Sequence, residues 1–455
     1  MLSCEDFVEI EVPSHKIVTE TVFAEDETAI AAMNGIYNEL FNSDFSSGGV
    51  SSVTLLAGMS SDIFETTSAT NTRYGPFQQN QISPRESPDA IANYNLWSSA
   101  YNIIYMANGV LKGIENSLGI SEGVRKNLKG QALFIRAFTY LYLTNLYGEV
   151  PLTLTTDYRQ NTKVTRNSVP EVYKQISSDL DLSIDLLNKV ENYENGERTK
   201  VNLFAVMALR ARVYLYQENW IKAEELSSQV IAQSGLYELY NNLDRVFLMN
   251  SKEAIWQISP LGGSGGGKYS TYTNEGYIFR GNKSSEIKLS EDKLLNTFHA
   301  EDKRLLQWIG FNKDEAFYFP QKYKDGNSWQ KVTEYSMVLR LAEQYLIRAE
   351  ARAMQGKLSE AITDIDKIRE RAGISLISET NPRIDKESLL SIIMEERKLE
   401  LFSEWGHRWF DLIRTGRASV VLSPVKPQWQ DTDVLFPIPG EERIKNPKLS
   451  QNNGY

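Results

Sequence analysis

The residues that could carry chemistry are few, and most of the familiar arrangements fail on spacing. Three histidines, His15, His299 and His407, stand far apart. None belongs to an HExxH motif, whose spacing sets two imidazoles on one helix face toward a zinc ion. His407 lies in Trp405-Gly406-His407-Arg408-Trp409 with no second histidine or cysteine nearby, so a packed imidazole is expected there. The run Gly262-x-x-x-x-Gly267-Lys268 mimics a phosphate-cradling loop. Tyr269 follows it where a Ser or Thr hydroxyl would hold magnesium, and no apolar-periodic helix comes after. A surface loop is the expectation. Glu395-Glu396 and Glu441-Glu442 are carboxylate pairs, but glycoside hydrolysis needs two carboxyls facing one cleft. Adjacent residues on a helix point apart, so solvated faces are expected. Cys4 is the only cysteine, which excludes an intrachain disulfide and a thiolate metal cluster. It follows Leu2-Ser3, an aliphatic and then a small residue, as at the acylation site of a bacterial lipoprotein. The competing reading is an unmodified terminal cysteine. No metal and no cofactor is expected.

Composition narrows the classes further. The formal net charge of the 455 residues is −10, and no Lys/Arg run stands out. A nucleic-acid partner, which calls for a cationic footprint, is therefore not expected. No apolar stretch reaches the 18 or so residues that a membrane-spanning helix needs. Hydrophobic residues are 41% and charged residues 24%, which suits a folded chain with a large core. Tyrosine is abundant, at 23 residues, beside 8 tryptophans. Such rings pair an apolar face with a polar handle and serve both core and binding surfaces.

Helical periodicity supplies the frame. Apolar residues recur at helix spacing from Tyr94 to Leu111, Leu133 to Tyr147, Leu203 to Tyr216, Leu339 to Met354, and Leu389 to about Phe402. An internal repeat runs through them. Leu209-Arg210-Ala211 is followed by Ala223, and Ile347-Arg348-Ala349 by Ala361, each twelve residues after the first alanine. Ile135-Arg136-Ala137 resembles a third, degenerate copy. Small residues at those places let two antiparallel helices approach closely, as in tetratricopeptide units. The copies are widely spaced, so helix pairs with long insertions are expected. The run Ala254-Ile255-Trp256-Gln257-Ile258 reads as a strand.

Three insertions, 42–89, 261–283 and 311–335, are polar, rich in Gly, Ser, Thr and Asn in part, and threaded with aromatics. They read as loops outside the helical core, and loops on a rigid frame are where binding function concentrates. Asp62, Arg73, Tyr74, Tyr272, Tyr277 and Trp329 are the candidate ligand contacts. Tyr277 and Phe317 could equally pin their loops to the core.

Several ordered motifs resemble the SusD/RagB family. They are Leu339 to Ala353, Ile368-Arg369-Glu370-Arg371-Ala372-Gly373, Glu396 to Leu401, and Gly406 to Gly416. The tail adds Phe436-Pro437-Ile438-Pro439, Asn446-Pro447, Gln451-Asn452 and Gly454-Tyr455. Trp97 to Leu111, Gly148 to Pro151, Asp302-Lys303-Arg304 and Lys322-Tyr323 also fit. The resemblance implies a mainly α SusD-like fold, with four tetratricopeptide-like helix pairs and an irregular loop-rich part holding a few short strands. It implies a lipid-anchor segment and N-terminal extension over 1–27. A single domain follows over 28–455, with halves at about 28–240 and 241–455. It further implies a lipoprotein held at the outer-membrane surface through acylated Cys4, partnered by a SusC-like TonB-dependent β-barrel transporter. The cargo would be oligosaccharide, bound without catalysis. Peptide cargo with the same uptake role, a protein-binding tetratricopeptide scaffold and a glycan-degrading enzyme are the alternatives. In that reading Glu343 and Arg348 make helix-surface pairs, and Trp409 and Phe410 are core.

Overall fold

Several helices begin where the sequence supplies a side-chain cap. The computed structural model describes residues 19–188, 193–261, 270–327 and 331–455. Helix α1 (Asp26–Asn42) is followed by α2 (Val53–Ser60), where the Ser52 hydroxyl accepts from the Leu55 amide. Helix α3 (Pro88–Asn116) starts behind Ser87, with Pro88 where no amide donor is needed. Helix α4 (Glu122–Tyr147) stops at Gly148, and α5 (Val169–Leu187) starts where the Glu171 carboxylate accepts from the Ser168 amide at 2.8 Å. Asn202 and Asn219 cap α6 (Leu203–Tyr216) and α7 (Trp220–Ile231). In the second half lie α8 (Leu341–Met354), α9 (Leu358–Ala372), α10 (Lys386–Leu401) and α11 (His407–Arg414). Residues 130–144 of α4 are all buried, which marks it as the central helix.

Eight of these eleven helices pack as consecutive pairs, α4 on α5, α6 on α7, α8 on α9 and α10 on α11. In three pairs an arginine of the first helix holds an aspartate of the second. These are Arg136 with Asp179 at 2.7 Å, Arg348 with Asp364 at 2.7 Å, and Arg397 with Asp411 at 2.8 Å. Arg210 of α6 instead reaches back to Asp181 of α5 at 2.9 Å and joins one pair to the next. Ala211, Ala223, Ala349 and Ala361 are buried at the crossings. The arginine of the repeat thus closes a bidentate fork on a neighbouring helix.

Among the described residues, three short antiparallel strand pairs complete the fold. They join β1 (Phe64–Thr66) to β3 (Ile287–Leu289), β2 (Ala254–Ile258) to β6 (Ser336–Arg340), and β4 (Ile309–Asn312) to β5 (Phe317–Pro320). The expected strand at 254–258 is present. The helix expected from Leu339 starts two residues later, because Leu339 and Arg340 pair with Trp256 and Ala254. Residues 42–89 are not all loop: α2 lies within them and is buried throughout. Its short apolar run has no polar face, so periodicity does not mark it. Phe45, in the same segment, packs with Phe138, Tyr142 and Trp405 at centroid distances of 6.0, 5.9 and 6.3 Å. The largest of three apolar clusters among the described residues runs from Phe23 to Leu449; a second lies between α8, α9 and α10, and a third where α6 and α7 meet α8.

Beneath the loop-rich part lies a buried charge network. Glu400 accepts from Arg304 at 3.1 Å, from Arg340 at 2.6 Å and from Arg371. Arg340 also pairs with Glu253 and Glu404, Arg304 with Asp302 and Glu396, and Lys322 with Glu404. Burial alone would raise the Glu400 carboxyl, but Arg371, Arg340 and Arg304 overcome it and hold the group far below its ordinary range. Two expectations are corrected here. Glu396 is not a solvated face residue but a buried partner of Arg304 and Arg369. Glu343 is likewise internal, gripping Arg212 at 2.6 Å. Replacing Glu400 by Gln leaves three buried guanidinium groups short of charge. The urea-unfolding free energy of Glu400→Gln should fall by about 3–5 kcal/mol; an unchanged value would show that the network is dispensable.

Candidate functional site

Four loop segments meet on one face of the frame. The turn at 43–50 is fastened to α3, where the Phe45 amide donates to Ser99 Oγ at 2.9 Å. Asn274 Nδ2 donates to the Ser47 carbonyl at 3.1 Å and brings the 270–281 segment onto that turn. Phe64 stacks on Phe279 at 5.3 Å, so the segment around β1 joins the same face. The Asp325-Gly326 backbone lies against Gly276 and Arg280, adding the fourth segment. Gly48 has a φ of +72°, and a Cβ there would collide with the Glu275 carboxyl group. Only glycine suits both that backbone and that approach.

Tyr272 and Tyr277 form the prominent surface feature. Their rings lie nearly parallel, at 13°, with centroids 5.8 Å apart. Tyr277 is 42% exposed and Tyr272 half-buried. The Arg280 guanidinium sits 4.1 Å from the Tyr277 centroid, three residues further along the chain. Such a platform offers a flat apolar face beside a fixed cation. It can hold a ligand whose rings are apolar on the face and polar at the edge.

The other candidates divide. Arg73 is exposed, with its guanidinium 5.8 Å from the Tyr74 ring. Tyr74 is buried: its hydroxyl donates to the Val50 carbonyl at 3.1 Å, and burial pushes it up to about 12. Asp62 is buried under a two-pronged contact from Arg408, both oxygens at 2.7 Å. Burial works to raise the Asp62 carboxyl, and Arg408 holds it lower than usual. As placed, Asp62 and Tyr74 fasten loops to the frame, because each spends its polar atoms on protein partners. Trp329, Cys4 and the glycine run 262–269 lie outside the described residues. Phe317 is buried, as a loop pin would be. His407 is buried among Arg212, Arg397 and Arg340; burial and then those charges push it well below its usual range, so it is neutral. Arg280, at the end of the 261–283 insertion, Asp325 and Glu275 are not among the ligand contacts expected from sequence. The Tyr277–Arg280 spacing is a readable signal for the first; nothing local points to the other two.

Among the described residues no cluster of three His, Cys, Asp or Glu could hold a metal ion, and no helix is long and apolar enough to cross a membrane.

The chain has known relatives in sequence and in fold. The sequence profile of the SusD family matches residues 153–455, and one described as starch-binding associating with outer membrane matches residues 19–215. SusD-like protein P25 of Formosa agariphila is 25% identical, over 100% of this chain and 97% of its own length. Starch-binding protein SusD of Bacteroides thetaiotaomicron is 23% identical, over 75% of each chain. Among solved structures, a SusD superfamily protein from Bacteroides vulgatus superposes with a TM-score of 0.81 at 21% identity, covering 96% of this chain and 100% of that one. A laminarin binding SusD-like protein superposes at 0.79 and 23%, covering 95% and 100%.

Glu275 is the buried post under this platform. Ser336 Oγ donates to one of its oxygens, and the other has no partner among the described residues. Burial, and then the nearby Glu404 and Glu334, raise its carboxyl to about 7. A carboxyl raised in the folded state binds its proton more tightly there than in the unfolded chain. Stability therefore falls as pH rises from about 4.5 to about 7. Glu275→Gln should come nearest the parent at pH 4 and exceed it at pH 8, by at most about 3 kcal/mol. Urea titrations at both pH values would check this; equal stability at pH 8 would contradict it.

Proposed function

The chain belongs to the SusD family, and on that premise we propose that it is a cell-surface lipoprotein that binds glycans and delivers them to a TonB-dependent outer-membrane transporter, with no catalysis of its own. The parallel Tyr272–Tyr277 pair beside Arg280 carries this reading. Sugar rings have C–H faces that pack on tyrosine and hydroxyl edges that accept from guanidinium and amide groups. Tyr272, Tyr277, Arg73 and Trp329 are the ligand contacts in this proposal. Asp62 and Tyr74 act one step back, by holding the loop that carries Arg73. The names of two matched proteins, one starch-binding and one laminarin-binding, support a glycan as the class of cargo.

The helix pairs give the transporter a broad and stiff surface to close against. Acyl chains on Cys4 would hold the protein at the membrane, since each buried methylene is worth about 0.8 kcal/mol. Loss of labelled-palmitate incorporation in cells expressing Cys4→Ser would support that attachment, and retention would contradict it. Uptake also demands release, so binding is expected to be weak enough to reverse on the transport timescale.

Retardation in polysaccharide gels, followed by calorimetry on the retained glycans, tests the reading. The parent chain should be retarded by at least one glycan. Tyr277→Ala should weaken that binding about 5–10-fold, the worth of one aromatic stacking contact. Its melting temperature should move by only a few degrees, because the ring is half in solvent. Unaltered affinity would remove the platform from the site, and release of shortened sugars on incubation would overturn the absence of catalysis.

A further inference from the structure

A second aromatic pocket, of about 300 Å³, opens between the middle of α3, the 151–164 segment and the short helix Gly440–Lys445. Its floor is the Trp97–Tyr101 pair, with centroids 5.0 Å apart. Tyr105 and Tyr158 stand at its edge, 52% and 71% exposed. Neither hydroxyl makes a hydrogen bond among the described residues. Asn161 lines the same pocket, as do Glu442 and Lys445.

The pocket is built rather than incidental. Tyr101 donates to the Pro151 carbonyl at 2.9 Å, Asn108 Nδ2 to the Thr153 carbonyl at 2.8 Å, and Asn161 Nδ2 to the Thr155 carbonyl at 2.8 Å. These bonds fix the loop wall. Asn446 Nδ2 donates to the Val164 carbonyl at 2.8 Å and ties in the opposite wall. Lys445 is neutralised at the rim, 3.0 Å from Glu442, so the pocket does not select for charge. An apolar aromatic floor, solvent-facing tyrosine rings and a polar rim without net charge fit a neutral ligand with one apolar face and many hydroxyls. The size suits one or two sugar rings.

We infer that this pocket is a second sugar-binding subsite, separate from the loop platform. The choice of sugar as ligand class rests on the glycan reading above. The separation follows from α3 itself. Ser99 faces the 43–50 turn, whereas Trp97 and Tyr101 each lie about 160° from it on the helix wheel. A glycan chain bound at one place leaves the other free to take a second stretch or a second chain. Linked occupancy would raise the avidity for long polymers over short ones.

Fluorine NMR of the full chain labelled with 3-fluorotyrosine separates the two sites. Tyr158, Tyr105 and Tyr277 resonances are assigned from the single Tyr→Phe variants. The probes are maltose, cellobiose and laminaribiose, each titrated into the millimolar range. At least one disaccharide should shift the Tyr158 and Tyr105 resonances together. Tyr158→Ala should weaken the Tyr105 response about tenfold while leaving the melting temperature unaltered. No shift at Tyr158 or Tyr105 with any of the three overturns the second subsite, whatever Tyr277 does. Shifts at Tyr158 with a silent Tyr277 leave this inference standing and count against the loop platform instead.

Discussion

Glu400 lies wholly out of solvent, with Arg304, Arg340 and Arg371 around its carboxylate. A buried anion of this kind is tolerable only while every partner is in place. Its partners come from distant stretches: the end of β6, the end of α9 and the residues before β4. Glu253 and Lys322 extend the contact to the start of β2 and the end of β5. The network therefore fixes how the helix pairs sit against the loop-rich part. A non-polar core would permit small slips between these elements; an ion network with bidentate geometry permits far fewer.

On this base the loops are held one by one. Phe45 enters the aromatic cluster around Phe138 and Trp405, so the 43–50 turn cannot lift away without exposing a ring. Glu275 seats under that turn against Gly48, and Phe64 stacks on Phe279. Asp62 is gripped by Arg408 of α11, which ties the first insertion to the last helix pair. A binding surface assembled from loops meets its ligand with less ordering to do when the loops are already fastened. Above these anchors the exposed Tyr277 and the half-buried Tyr272 present side chains with a polar handle at the tip.

The frame was readable because its signals are local. The Arg-Ala repeats, the helix spacing and the strand at 254–258 each lie within a few residues, and each is present as expected. The aspartates that receive Arg136 and Arg348 could not be named, since they lie on other helices. The site was only partly readable, for the same reason. Asp62 and Tyr74 have the composition of ligand contacts, and their burial depends on Arg408 and Val50, which are remote in the chain. Glu396 reads as a surface residue until Arg304, from 92 positions earlier, is placed against it. The buried helix Val53–Ser60 was hidden in a stretch whose composition is that of a loop. The exposed Tyr277 and its Arg280 neighbour are a local i, i+3 pair, and this is the part of the site that sequence spacing can reveal.

A crystal structure of the chain bound to an oligosaccharide that it retains in gels would test the central claim most directly. The account predicts a sugar ring packed on the exposed Tyr277–Tyr272 face, within reach of Arg280, with the 43–50 and 270–281 backbones where they stand now. A sugar bound with Tyr277 untouched, or reached only after those loops part from Phe45 and Glu275, would contradict it.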